Sequence, residues 1–419
     1  MTRPKLLVLS QTLPFPPDGG VKVRTYNLLK QLAIAFDIVA LCFYRSKTSS
    51  DSAVAGLRGL ARVEAFPIPQ EHSRLRLLRD HLHSSVSRRV YTAFAYRSHK
   101  FRARLVDLLA SEHFALAHAD SLDLSDYFPL VGDVPLICVH HDVQSALLRR
   151  RAQQQRAPWM RGYIAYQAEL MRREERRWCP RVDLNVTVSD VDRDALRAVA
   201  PGSRVAVVPN GVDVDYFRPQ GGGAANTVVF VGGSSWFPNA DAMRHFGQAI
   251  LPLIRERGAS PDVVWVGSTT AEERGAFRRD FGIEATGYVE DTRPYVGEAG
   301  CCIAPIRVGG GTRIKILDAW AMGKAVVSTS IGCEGLSAVD GDNILVRDDP
   351  RGFADAVIAV LNDESLRNRL GRSGRSTVER VYSWETIGRS MIAEYLAVAA
   401  KRSEGQIPDA RPGLPSLSS

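Results

Sequence analysis

Short runs of Val, Ile and Leu alternate along this chain with longer stretches in which apolar residues recur every three or four positions. Runs of the first kind read as strands buried on both faces, and their alternation with helical periods is the pattern of parallel sheets covered by helices. The first half predicts strands at Lys5–Ser10, Ile38–Phe43, Leu136–His140 and Leu184–Val188. Between the first two, Leu28, Leu29, Leu32, Ala35 and Phe36 fall at helical spacing behind the loop Pro16-Pro17-Asp18-Gly19-Gly20, a strand, glycine turn and helix in succession. After the turn dipeptide Asn210-Gly211 and the loose segment 220–226 the alternation begins again. It predicts strands at Thr227–Gly232, Asp262–Gly267, Cys301–Pro305, Ala325–Thr329 and Ile344–Arg347, and helices at Asp241–Arg257, Thr312–Met322, Pro350–Leu361 and Ser365–Tyr382. The expected fold is α/β: two Rossmann-like, doubly wound parallel-sheet domains, 1–200 and 201–383, facing a central cleft. A C-terminal helix over 384–400 is expected to complete the first domain, and the Ser-, Pro- and Gly-rich tail 401–419 to be disordered. Ligands of such sheets bind outside the carboxyl ends of the strands, which makes the cleft the expected site.

Composition narrows the picture. With 419 residues, 45% apolar and 24% charged, two domains can each bury a core without staples. The six cysteines are scattered and form no Cys-x-x-Cys spacing, which fits a reducing compartment. Leu6 to Leu9 is too short a run for a leader core, and Leu32 to Tyr44, broken by Asp37, falls short of the roughly 20 residues that cross a bilayer. No membrane span is expected. The net charge of +8 is unevenly placed: residues 1–200 hold 30 Lys and Arg against 20 Asp and Glu, leaving 24 against 26 in the remainder. Much of the excess lies in Arg74 to Arg104 and Arg149 to Arg181, where arginines interleave with Leu, Tyr, Phe and Trp. Such faces attract polyanions, and an ordinary solvated face is the alternative for either stretch. No helix-turn-helix, zinc-finger or RNA-binding motif accompanies the charge, so no nucleic-acid partner is expected.

The most informative segment runs from Ala304 to Thr329 as strand, glycine loop, helix and strand. Gly309, Gly310 and Gly311 allow backbone amides to approach a ligand, and Thr312 is expected to cap the helix that ends at Gly323. Arg313 and Lys315 stand in the first turn, where the helix dipole disfavours cations. A phosphate or diphosphate there would reverse the sign, taking hydrogen bonds from loop amides and charge from both side chains. The alternative is a Lys315–Asp318 pair at helical spacing with Arg313 in solvent.

This segment resembles the donor-site signature of retaining nucleotide-sugar glycosyltransferases of family 4 (glycosyl transferases group 1), which have the two-domain GT-B fold. The resemblance extends to Val207-Val-Pro-Asn-Gly-Val-Asp213 with Tyr216-Phe217, Val231-Gly-Gly, Trp236-Phe-Pro-Asn239, Gly287-Tyr-Val-Glu-Asp291, Gly332-Cys-Glu-Gly-Leu336 and Gly341-Asp-Asn-Ile-Leu-Val346. It implies a donor site formed by Gly20, Gly232, Val289, Gly310, Gly311, Thr312, Arg313, Lys315 and Asp318, with Gly19 and Arg24 on the acceptor side. Arg24 either faces the cleft or points to solvent. It also implies a histidine at the sugar pocket. His140 and His141 end one strand and must point to opposite faces, and His141 is the expected site residue, with a structural histidine pair as the alternative. The implied catalytic groups are His141, Arg313 and Lys315.

The chain departs from the family pattern in two places. Many members carry two glutamates separated by seven intervening residues; here Gly310 and Asp318 occupy those positions. A basic pair usual after the first strand of the second domain is replaced by Trp236-Phe237-Pro238-Asn239, which leaves Arg313 and Lys315 to neutralise the diphosphate. Asp190-x-Asp192-x-Asp194 reads as a helix start and Asp213-x-Asp215 lies in the crossover, so neither makes a convincing metal cluster; neither a metal nor another cofactor is expected. The resemblance implies metal-independent transfer, with retention, of a sugar from a nucleoside-diphosphate sugar to a glycan or lipid-linked acceptor. The expected setting is cell-surface polysaccharide or glycoconjugate synthesis in the cytoplasm, with peripheral contact at the inner face of the plasma membrane. Two other classes share the architecture: a sugar-nucleotide 2-epimerase, which needs no acceptor, and a non-catalytic binding subunit, which binds nucleotide without turnover.

Overall fold

The computed structural model of the chain describes residues 3–17, 19–45, 50–69, 74–155, 157–220, 224–309 and 313–403. They form two compact units, one running to Pro209 and resuming at Ile387, the other Asn210–Thr386. The boundary falls beyond the expected 200/201 because Val205–Val207 pairs with Leu184–Thr187 and so belongs to the first sheet.

The first unit contains a seven-stranded sheet of β1 (Lys5–Ser10), β2 (Asp37–Tyr44), β3 (Arg62–Pro67), β4 (Leu116–Ala119), β5 (Leu136–Val139), β6 (Leu184–Thr187) and β7 (Val205–Val207). The order is β3-β2-β1-β4-β5-β6-β7 and every pairing is parallel. β1 is the centre: Leu6 to Leu9 are wholly buried, as a parallel sheet covered on both faces requires. The chain winds outward through β2 and β3 and then crosses back to β4, so β1 and β4 flank the point where the strand order reverses. The helix Trp384–Ser403 returns to this unit, where Tyr395 is fully buried beside Phe36 and lies 2.8 Å from Nδ1 of His118 on β4. Lys401 to Ser403, expected in the disordered tail, continue that helix; residues 404–419 lie outside the described residues.

The second unit repeats the design with six parallel strands: β8 (Ala224–Val231), β9 (Asp262–Val266), β10 (Ile283–Ala285), β11 (Ala299–Ala304), β12 (Val326–Ser328) and β13 (Leu345–Val346). Their order is β10-β9-β8-β11-β12-β13, with the reversal between β8 and β11. The helix expected over Asp241–Arg257 is interrupted: Phe237–His245 passes through a π-type turn, Phe246–Ile250, into Leu251–Glu256. Pro252 accounts for the break, because it has no N–H to donate and its ring would press on the carbonyl four residues earlier, which lies in the widened turn. Among the described residues no helix is long and apolar enough to cross a membrane.

Candidate functional site

In the second unit, three strand ends meet at one edge of the sheet. β8 runs into Gly232, β9 into Gly267, and β11 into the loop that reaches Gly309 before the helix Ile314–Ala321 begins. That helix starts two residues later than expected. Arg313, rather than Thr312, occupies the cap position, and no acidic residue stands in the first turn. Gly310, Gly311 and Thr312 lie outside the described residues.

Both cations are held back against protein. Arg313 is only 4% exposed, which rules out the solvent-facing alternative; its guanidinium lies 5.3 Å from the centre of the Trp236 ring. Lys315 does not pair with Asp318. Its ammonium donates to Asn239 Oδ1 at 2.6 Å and sits 4.0 Å from the centre of the Phe230 ring. Asn239 is itself fixed by donation to the Gly233 carbonyl at 2.9 Å. The Trp-Phe-Pro-Asn segment that replaces the family's basic pair is therefore the platform on which the two remaining cations rest. Burial, with Arg313 alongside, drives the Lys315 ammonium well below its usual range. Burial likewise pushes the Asp318 carboxyl up to about 8. The arrangement sets two basic side chains at the start of a helix whose first turn carries no acid, which is the electrostatics of an anion site.

Gly232 closes the arrangement. Its φ is +149°, and a Cβ built there would lie 2.5 Å from Asn239 Nδ2 and 2.8 Å from Lys315 Nζ. Gly232→Ala is expected to lower stability by about 2–4 kcal/mol, since backbone strain and the clash add. Chemical unfolding measures the loss, and a variant within about 0.5 kcal/mol of the parent would show that the crowding is not real. Val289 is partly buried against the core that holds β8, β9 and β11.

The first unit also gathers polar groups at its point of reversal. Gly19 is the cap of the helix Gly20–Ala35, which follows β1 and carries Thr25. Asp120, directly after β4, is fully buried, and its Oδ2 accepts from Ser10 Oγ at 3.0 Å and Thr25 Oγ1 at 2.8 Å. His141, just past β5, directs Nε2 to the Asp120 carbonyl at 3.0 Å and to Oδ1 at 3.3 Å. His118 Nε2 lies 3.7 Å from the same oxygen. Burial alone would raise the Asp120 carboxyl; the His141 ring, with His118 behind it, outweighs burial and holds it below the usual carboxylate range.

The two adjacent histidines part as alternation requires. His140 is buried and its Nε2 donates to Asn185 Oδ1 at 2.9 Å, while burial pushes its ring down to about 4. Neutral and enclosed, His140 is structural; His141 keeps 13% of its side chain exposed. Arg24 follows neither expectation. It is 1% exposed and donates to the carbonyls of Val208 at 2.7 Å and Pro209 at 2.9 Å, so it ties the helix after β1 to the chain leaving β7. Burial lowers its guanidinium to about 10.

Asp120 is not singled out in the sequence, and Asn239 is named there only as the end of Trp236-Phe-Pro-Asn239, without a role. Asp120 had a usable signal, since an acid at the end of an apolar run, followed by the cap residue Ser121, marks a strand end. Asn239 had none, because its partner lies 76 residues away. The Asp190-x-Asp192-x-Asp194 run is the helix start expected of it: Ser189 accepts from the Asp192 amide, and Arg193 pairs with Asp190 and Asp194.

Two parallel-sheet units of this build, each with polar groups at its point of reversal, define the GT-B class. The model for Glycosyltransferase Family 4 matches residues 18–216 and that for Glycosyl transferases group 1 matches residues 225–363. The chain belongs to this family. A phosphatidyl-myo-inositol mannosyltransferase of Mycobacterium tuberculosis is 30% identical over 244 residues, covering 53% of this chain and 61% of the relative. The chain thus spans about three fifths of that relative's length. Among solved structures, sucrose-phosphate synthase of Thermosynechococcus elongatus superposes with a TM-score of 0.68 at 15% identity, covering 94% of this chain and 99% of that one. Anabaena HepE in complex with UDP-glucose does so with a TM-score of 0.65 at 15% identity, covering 94% and 100%. These two likenesses are likenesses of fold.

Proposed function

We propose that this protein transfers a sugar, with retention of anomeric configuration, from a nucleoside-diphosphate sugar to a glycan or lipid-linked acceptor at the inner membrane face. The observation that carries this reading is the placement of two basic side chains, Arg313 and Lys315, at the start of Ile314–Ala321, a helix with no acid in its first turn. Departure of a nucleoside diphosphate breaks the bond from the anomeric carbon to phosphate and builds negative charge on phosphate oxygens. Arg313 and Lys315 stabilise that charge and so lower the barrier. The new bond forms from acceptor oxygen to the same face of the anomeric carbon, and the acceptor proton passes to the leaving phosphate. Asp318, largely protonated near neutral pH, can donate to a ribose oxygen as well as accept from a ribose hydroxyl. His141 and Asp120, on the first unit, are proposed to hold a sugar hydroxyl, with Gly19 and Gly20 bordering the acceptor. The names of the relatives support the two substrates: one acts on a phosphatidylinositol and another structure contains a nucleotide sugar.

The test is a thermal-shift screen of UDP, GDP, ADP and their sugars, because a ligand selective for the folded state raises the melting temperature. One diphosphate series is expected to stabilise the protein, and turnover of its sugar onto lipid extracts is expected to persist in EDTA, since two side chains supply the positive charge. No stabilisation by any diphosphate would remove the donor reading, and loss of turnover in EDTA would remove metal independence.

A further inference from the structure

The helix Arg74–Ser87 is built inside out. Its enclosed positions are polar. Asp80 and Ser84 are 4% and 0% exposed; Arg76 lies 3.7 Å from the Asp80 carboxylate, and Ser84 donates to the Arg89 carbonyl and accepts from Gln167. The outward positions are apolar: Leu75, Leu78, Leu82 and Val86 are 82%, 60%, 61% and 86% exposed. Spacings of three, four and four put these side chains on one stripe within an arc of about 100°. Single exposed leucines need no explanation, but a contiguous stripe on a helix whose polar face points inward marks a contact surface.

The neighbouring helix Pro158–Trp178 widens the surface. Tyr163 bonds to His81, Tyr166 Oη donates to the Ser85 carbonyl at 3.3 Å, and Gln167 donates to Ser84. These contacts advance together along both helices, so the two run in the same sense. Trp159 lies one turn before Tyr163, and Leu77 one turn before His81. Trp159 is 72% exposed and Leu77 42%.

Charge selects the occupant. Residues 74–89 contain five arginines and one acid, and that acid, Asp80, faces inward. Arg79, Arg88 and Arg161 are exposed. A second copy docked through this face by a two-fold axis would set arginines against arginines. An apolar stripe edged by arginines, with a tryptophan at its margin, instead matches the boundary between headgroups and acyl chains of an anionic bilayer. We infer that this face of the first unit docks on an anionic lipid bilayer. Leu75, Leu78, Leu82, Val86 and Trp159 enter the apolar boundary, and the exposed arginines meet headgroup phosphates. The inference deepens the membrane-face setting proposed above, and its test needs neither donor nor turnover.

Full-length protein is sedimented with vesicles of phosphatidylcholine alone or with phosphatidylglycerol added. The parent is expected to bind only the anionic vesicles, less so at high salt. Leu78→Ser with Leu82→Ser is expected to weaken binding by about tenfold or more. Arg79→Gln with Arg161→Gln is expected to weaken it severalfold and flatten the salt dependence. All four side chains are exposed, and Asp80, 3.5 Å from Arg79, keeps Arg76 beside it, so the variants should keep the parent's unfolding transition, and nucleotide stabilisation should be unchanged. Failure of the parent to bind anionic vesicles, or equal binding by the leucine variant, would overturn the inference. So would conversion of a dimer to a monomer by the leucine substitutions, read by analytical ultracentrifugation, with vesicle binding unaffected.

Discussion

Arg313→Ala and Lys315→Ala are each expected to weaken binding of a nucleoside diphosphate by about 30- to 100-fold while changing affinity for the bare nucleoside by less than about threefold. The asymmetry follows from where the charges are. Arg313 caps, and Lys315 stands in the first turn of, a helix whose dipole already favours an anion and whose first turn carries no acid. Lys315 adds a second signature. Its ammonium is depressed in the free protein by burial and by Arg313, and a diphosphate would restore it. Between the free and bound values, binding takes up a proton; affinity is full below the free value and falls as pH rises towards the bound one. Calorimetry in two buffers of different ionisation heat measures the uptake directly. Arg313→Ala should narrow the window by removing a repulsive neighbour, and Lys315→Ala should abolish it. Equal losses for nucleoside and diphosphate, or binding without proton uptake in the alkaline limb, would count against a phosphate role for this pair.

The second large effect is expected at Asp120, which acts through His141. The His141 Nε2 faces two acceptors, a carbonyl and a carboxylate oxygen, so in the neutral ring Nε2 carries the hydrogen and Nδ1 keeps the lone pair. Ser10 and Thr25 donate to the other carboxylate oxygen. In Asp120→Asn those two hydroxyls hold the amide oxygen where Oδ2 was and leave the NH2 facing Nε2. The ring must then reverse its tautomer or lose the bond. Transfer is expected to fall by about 100-fold or more in kcat, with nucleotide affinity within about threefold of the parent. His141→Ala should cost a similar factor, and the double variant little more than either single one, because the two residues work as a unit. Ring nitrogen shifts of His141 report the tautomer without any substrate. A parent ring already protonated at Nδ1, or a Asp120→Asn ring unchanged from the parent, would remove Asp120 as a positioning residue.

Much of the architecture was legible because long apolar runs leave little choice. β1, with four consecutive aliphatic residues wholly buried, matches its expected bounds, and so do both ends of the helix Pro350–Asn362 to within a residue. The strands that escaped notice are the short or weakly apolar ones. β7 and β10 have three residues each, too few to show a period; β4 carries His118 among its four; and β3 is an edge strand, only partly buried along its length. The uninterrupted helix over Asp241–Arg257 failed at Pro252, whose effect on the preceding turn is local chemistry that periodicity overlooks.

The sequence by itself determined the two doubly wound units, the glycine loop before a helix with misplaced cations, and the parting of His140 from His141, because each follows from the order of residues along one element. What only the tertiary structure decided were the partners. Arg313 lies against Trp236 rather than in solvent, Lys315 chooses Asn239 over Asp318, Arg24 turns inward to the carbonyls at the end of β7, and Asp120 collects Ser10, Thr25 and His141 from three other segments. These contacts join residues dozens of positions apart, and which of them form depends on how strand ends line up across a sheet. Periodicity constrains the face a side chain takes, whereas the identity of its neighbour is set by the register of strands that no local pattern specifies.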